Sequence, residues 1–171
     1  MAVAKYLGNS LDIVGAIRPV DLQDGANNGD WVSWKNCDRV IVVVHSAIGT
    51  AGDDPTLTLN QATDNAGTSS KVLTKIDTVY TKQAATSLLS TGAWTKETQT
   101  IASTYTEATS AEEEALWAVE IRAEDLDVDG GFDHLQAAVT DVGSNAQLGA
   151  IYYILCGLKY PAAPESVISP L

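Results

Sequence analysis

The residues with most scope for chemistry are Asp125, Asp127, Asp129 and Gly130, which spell D-x-D-x-D-G. In a calcium loop that spacing makes alternate carboxylates converge on a hard cation, and the glycine permits the sharp turn. Counted from Asp125, however, the twelfth position is Gln136, where a bidentate Glu is needed, and no helical pair flanks the segment. It reads as a solvated acidic turn. His45 and His134 lack a nucleophile in a strained elbow, because no G-x-S-x-G occurs, and His45 reads as the polar end of an apolar strand. Ser69, Ser70 and Lys71 follow Gly67, but the first glycine of a phosphate loop is missing. Asp53, Asp54 and the run Glu112, Glu113, Glu114 lie among turn formers, where exposed carboxylates titrate normally. No residue is therefore assigned a catalytic, cofactor-binding or metal-binding role, and a non-enzyme without a cofactor is expected.

The elements that would position such groups follow from composition. The chain has 171 residues, 45% hydrophobic but only 6% aromatic, with 13 Gly. That length favours one domain with a real core, and the many Thr and Val suit strands better than a helical bundle. With 22 acidic against 10 basic residues, the formal net charge is -12, which repels nucleic acid and anionic membrane. Neither is an expected partner. Cys37 and Cys156 have no CxxC or Cys/His metal spacing. Cys156 follows the apolar run IYYIL and reads as a buried free thiol rather than half of a disulfide, in keeping with synthesis in a cytoplasm. The N-terminal segment shows no continuous apolar stretch of a leader, and no segment reaches the roughly 18 apolar residues of a membrane span.

The centre of the pattern is residues 29–64. The apolar run VIVVV at 40–44 predicts a central strand with both faces covered. A Gly/Asp/Pro turn at 49–55 and the alternating segment at 56–62 then predict its hairpin partner, with Leu57 and Leu59 facing inward. Trp31 and Trp34, beside the turn at 24–30, read as anchors between a sheet and its neighbour. Residues 71–83 predict one strand bent near Asp77, with Val72, Thr74, Ile76, Thr78 and Tyr80 sharing a face. A small polar loop follows at 84–93, then a Thr-rich strand at 94–101. At 110–126 Ser110 and Glu113 fit a capping box and the composition favours helix. Yet Trp117, Val119 and Ile121 alternate with Ala118, Glu120 and Arg122, and that period predicts a strand over 115–123. Further strands are predicted at 132–140 and 146–160. The expected fold is all-β, an antiparallel β-sandwich or jelly-roll-like barrel at 25–160. Residues 1–24 form an N-terminal arm or a first short strand near 11–17, and 161–171 an extended C-terminal tail.

The segments GDWVSWKN, GTAGDDPTLTLNQATD, AGTSSK, LWAVEIRAEDLDVDGGFD and DVGSNAQLGAIYYILCGLKYP together resemble virion structural proteins of tailed bacteriophages, most closely the head decoration or cement proteins. The resemblance runs over about residues 25–161 and is one of strands and turns, not of a catalytic fingerprint. It implies a β-sandwich or jelly-roll-like body that binds the major capsid protein on the outer surface of the virion, as a homo-oligomer, commonly a trimer. It implies no cofactor and carries over no site residue. A tail, neck or fibre-associated protein is the nearest alternative. A carbohydrate-binding module is an alternative of another class, with Trp31, Trp34 and Trp94 as sugar-stacking faces.

Overall fold

Alternation of buried and exposed side chains builds two antiparallel sheets that pack as a sandwich. The structure, a computed structural model, describes residues 6–22, 24–84, 87–90, 92–140, 143–166 and 170–171. The strands are β1 (Leu11–Asp21), β2 (Asn27–Asn28), β3 (Val32–Ser33), β4 (Arg39–Ser46), β5 (Thr56–Ala62) and β6 (Lys71–Val72). They continue with β7 (Ile76–Ala84), β8 (Thr95–Ala102), β9 (Thr104–Thr106), β10 (Glu114–Arg122), β11 (His134–Thr140) and β12 (Leu148–Cys156). One sheet has the order β1-β12-β4-β10-β7-β8 and the other β2-β11-β5-β6, with β3 also on β11 and β9 also on β5. Among the described residues the helical elements are three short 3-10 turns. The all-β sandwich expected from the turn spacing is therefore the observed fold.

The apolar run lies on β4, which is central, between β12 and β10. Val40, Val42 and Val44 are fully buried, whereas Ile41 and Val43 on the outer face are half-buried, so one face and not both is covered. The expected hairpin of β4 with β5 does not form. The turn after β4 carries the chain across to the other sheet, where β5 pairs with β11, β6 and β9. This lets Leu57 and Leu59 face the β4 valines across the core instead of beside them. Residues 71–83 likewise divide into β6 and β7, in different sheets. A register shift between Ile76 and Thr78 also changes the inward parity. Ile76, Val79 and Thr81 point into the core, while Val72 and Tyr80 are exposed.

The strand reading of the helix-prone segment holds, with β10 at Glu114–Arg122. Trp117, Val119 and Ile121 are all but fully buried between β4 and β7. Ladder pairing with β4 and β7 and burial of three large side chains outweigh the few tenths of a kcal/mol per residue by which Ala, Glu and Leu favour helix. Trp117 meets Tyr105 of β9 edge-to-face at 5.1 Å, a contact between the two sheets. The strand predicted near residues 11–17 is β1 and extends to Asp21, paired with β12. Residues 11–21 thus belong to the body of the sandwich and not to an arm; residues 1–5 of the expected arm lie outside the described residues. In the tail, Ala162 donates to the Gly8 carbonyl (2.8 Å), Ser33 donates to the Pro170 carbonyl (2.9 Å) and residues 164–166 make a 3-10 turn. Residues 167–169 of the expected tail lie outside the described residues.

Tyr153 of β12 crosses the core completely buried. Its hydroxyl accepts a hydrogen bond from the Ala137 amide of β11 (2.7 Å) and donates one to the Asp30 carbonyl (3.0 Å). The chain between β2 and β3 bulges away from β11 here, and the phenol fills the gap in the ladder. Gly29 lies in the same place, and a Cβ on it would come within 2.6 Å of the Ala137 carbonyl oxygen. Tyr153→Phe keeps the ring but leaves a buried amide and carbonyl short of a partner, so unfolding titrations should show a loss of about 1–3 kcal/mol. Val42→Asp places an unpaired charge in the centre of the core and should cost several kcal/mol, on the order of 3 or more. An unchanged denaturation midpoint for Val42→Asp would mean that β4 is not the core strand.

Candidate functional site

The aspartate loop is bonded into the fold through its carboxylates. Asp127 takes the Lys71 ammonium at 2.5 Å on one oxygen and the Gly130 amide at 3.1 Å on the other. Its own amide donates to Gln61 of β5 (2.8 Å). Asp125 accepts from the Arg122 amide (2.9 Å) and lies 3.6 Å from the Lys75 ammonium. Lys71 also sits 4.0 Å above the Phe132 ring. The hydrogen bond from Lys71 is the main reason the Asp127 carboxyl lies below its ordinary value. Lys71 and Lys75 thus already compensate the charges of Asp127 and Asp125. Among the described residues no group of three or more His, Cys, Asp or Glu is arranged to hold a metal.

The two histidines lie at opposite ends of the sandwich. His134 is buried, with Nδ1 2.5 Å from Asp133 Oδ1. It borders a cleft of about 660 Å³ between β3, the 63–65 turn and the tail. His45 is exposed and meets Glu114 at 3.2 Å. The three tryptophans of the sugar-stacking alternative are also dispersed. Trp34 is buried, Trp31 is half-buried and lies where a side chain on Gly67 would clash with it, and Trp94 is exposed before β8 with the Lys82 ammonium 4.9 Å from its ring. Both thiols are free: Cys37 is the buried one, its thiol pushed up to about 12 by burial, and Cys156 is only partly buried.

What the fold does bring together is a set of acidic loops. Asp21, Leu148, Ser46, Glu114 and Ala84 come level at one end of the larger sheet. Residues 22, 24–26, 47–55, 87–90, 92–94, 107–113 and 143–147 adjoin that end, and none of them is Lys or Arg. Fully buried Gln147 ties them together. Its amide nitrogen donates to Ala47 (3.2 Å) and Ser110 (3.5 Å), and its backbone amide donates to Asp21 (2.9 Å). Asp54 accepts from the Ser110 hydroxyl (3.1 Å) and the Ala111 amide (2.9 Å), while Asp53 accepts from Asn145 (2.9 Å). Gln83 accepts from the Trp117 indole (2.7 Å) and donates to Glu107 (2.9 Å). Partial burial pushes the Glu107 carboxyl up, but donors from Gln83 and from the Thr109 amide and hydroxyl bring it below its ordinary value. Glu114 is lowered by the Leu88 amide and then by His45.

The second feature is the outer face of the larger sheet. Register places Ile13, Ile154 and Ile41 side by side, with Tyr152, Val43, Ala118 and Tyr80 in the next row. Ile13, Tyr152 and Tyr80 are exposed. Around this stripe stand Arg39, Arg122, Lys82 and Lys96, with Glu120 bonded to Arg39 at 3.2 Å and 3.8 Å from Arg122. Sequence reasoning missed Gln147, Gln83 and Tyr153 as organisers, because single polar residues in apolar or loop contexts announce no partner. The absence of Lys and Arg from five separate segments is legible in the sequence, but not that those segments share one end.

No protein-family model matches the chain, and no curated protein matches it. It overlays on a chain of a solved structure described as that of the infectious bursal disease virus Gt strain, at 11% identity and a TM-score of 0.26. The overlay covers 93% of this chain and 44% of that one, so this chain spans less than half of the other's length. A likeness at that score carries no argument about role.

Two outcomes are expected. Ligand binding to the folded state would add about 2.7 kcal/mol at a hundredfold excess over Kd, so thermal melts in millimolar calcium and in EDTA should coincide; an upward shift abolished by Asp127→Ala would make the loop a calcium site. Glu107 has a lowered folded pKa, so its contribution is complete above the unfolded value of about 4.3 and is lost as pH falls through the folded value. The melting-temperature gap between wild type and Glu107→Ala should therefore be widest near neutral pH and close in acid.

Proposed function

We propose that this chain is a virion structural protein that clads the outside of a phage capsid by binding the major capsid protein, as a symmetric homo-oligomer and most simply a trimer. The observation that carries the reading is how the ionisable groups are used. Asp127, Asp54 and Glu107 serve as struts of the sandwich, and the outer face of the larger sheet, with Ile13, Tyr152 and Tyr80 exposed, is a surface left for recognition. The resemblance over residues 25–161 to decoration proteins supports the same role. Cyclic symmetry suits a protein on a symmetric lattice, because each subunit presents the same patch to an equivalent capsomer. Modest contacts then multiply through effective concentration.

The test is co-sedimentation of the purified protein with empty phage capsids, with antibody labelling of virions in micrographs. Pelleting with shells and labelling over the head are expected. Failure to pellet, with label on tails, would move the protein to the tail, neck or fibre alternative.

A further inference from the structure

Beyond the cladding role, and independently of it, we infer that the cleft beside His134 binds a neutral saccharide. The first support is the histidine itself. Its side chain is 8% exposed, and Nδ1 lies 2.5 Å from Asp133 Oδ1. An ionised carboxylate only accepts, so in the neutral ring Nδ1 carries the proton and Nε2 is left as an acceptor. Among the described residues Nε2 has no hydrogen-bond partner, yet it is not sealed in the core as the Trp34 indole nitrogen and the Ser46 hydroxyl are. The ring borders the cleft of about 660 Å³. A buried acceptor of fixed orientation thus opens into a space of the size, roughly 300–1,000 Å³, that small-molecule sites have.

The second support is what stands around that acceptor. On the sheet side of the cleft, donors and acceptors lie close together. Ser33, the cross-strand neighbour of His134, accepts from the Lys35 amide (3.3 Å), which leaves its hydroxyl proton to donate. Asn36 accepts from the Tyr160 amide through Oδ1 (2.7 Å), and its side-chain NH2 has no partner among the described residues. Asp64 takes the Ala66 and Thr68 amides on one oxygen (3.0 and 2.9 Å), which fixes the carboxylate and leaves it room to accept again. On the tail side the lining includes Tyr160 and Pro161, and Tyr160 is 74% exposed, an aromatic ring with little cover of its own. A sugar hydroxyl donates and accepts at once, so it bridges His134 or Asp64 to a neighbouring donor while the C–H face of the sugar ring packs on Tyr160. An anion that only accepts would meet the Asp64 carboxylate and the His134 lone pair with no proton to give. None of Trp31, Trp34 and Trp94 lines this cleft, so the sugar site lies away from the tryptophans that the sequence offers for stacking.

The experiment is titration of the isotope-labelled protein with glucose, galactose, mannose, N-acetylglucosamine, cellobiose, lactose and chitobiose, read by amide chemical shifts in solution NMR. Saturable shifts with at least one of these sugars are expected, centred on Ser33, Asn36, Asp64 and His134. Tyr160→Ala, at an exposed side chain whose loss leaves the thermal melt unchanged, should weaken that sugar about tenfold. Ser33→Ala removes one donor and should weaken it about fivefold. His134→Phe keeps a ring but removes the acceptor and should abolish saturation; where that variant does not fold, the Tyr160 and Ser33 variants decide. Trp94→Ala should bind as the wild type does. No saturable shift with any of these sugars, shifts centred away from the cleft, or Tyr160→Ala and Ser33→Ala binding like the wild type would each overturn the inference. Equal shifts from inorganic phosphate would also overturn it, because they would mark an anion site.

Discussion

A buried hydroxyl between two sheets is the constraint on which the rest of this sandwich depends. β11 is paired with β5 along its whole length, but its other edge meets only β2 and β3, two residues each, with a bulge between. An amide exposed by that bulge would lie inside the core, where an unsatisfied donor costs on the order of 1–3 kcal/mol. Tyr153 supplies the missing acceptor from the opposite sheet and uses its own proton on Asp30. The adjoining Asp30 amide donates to Ala16 of β1, and Gln136 donates to Gly29. The path of the first connection is pinned at this point, and position 29 needs glycine because a Cβ there would run into the Ala137 and Ala16 carbonyls. Burial also raises the phenol pKa, so the hydroxyl stays protonated and able to donate.

The same logic explains the acidic end. Loops without cations repel one another unless their carboxylates find donors, and here backbone amides and neutral amide side chains provide them. Neutral donors leave the negative charge uncancelled toward solvent, whereas the aspartate loop at 125–130 is neutralised by lysines. The loop end thus keeps Asp24, Asp54, Glu107, Glu112 and Glu113 together without an ion pair to Lys or Arg among the described residues.

Alternation was the most informative local signal. It placed β10 correctly against helix-favouring composition, because a period of two sends Trp117, Val119 and Ile121 to one side only in a strand. It also placed Leu57 and Leu59 inward. Where alternation is interrupted it misled. The parity of residues 72–80 looked continuous, yet the chain changes sheet after Val72 and shifts register after Ile76. The valine run looked covered on both faces because its outer residues are as apolar as its inner ones.

The amino-acid sequence by itself determined the class of fold, the position of most strands and the weakness of each catalytic or metal motif, since these depend on side-chain period and on residue types at short spacing. Only the tertiary structure decided which strands are partners. The turn at 49–55 is compatible with a hairpin or with a crossing between sheets, and the choice is made by core packing between residues far apart in the chain. The same holds for the acidic end and the outer face of the larger sheet. Each is assembled from segments tens of residues apart, and their proximity is a property of the sandwich, not of any one segment.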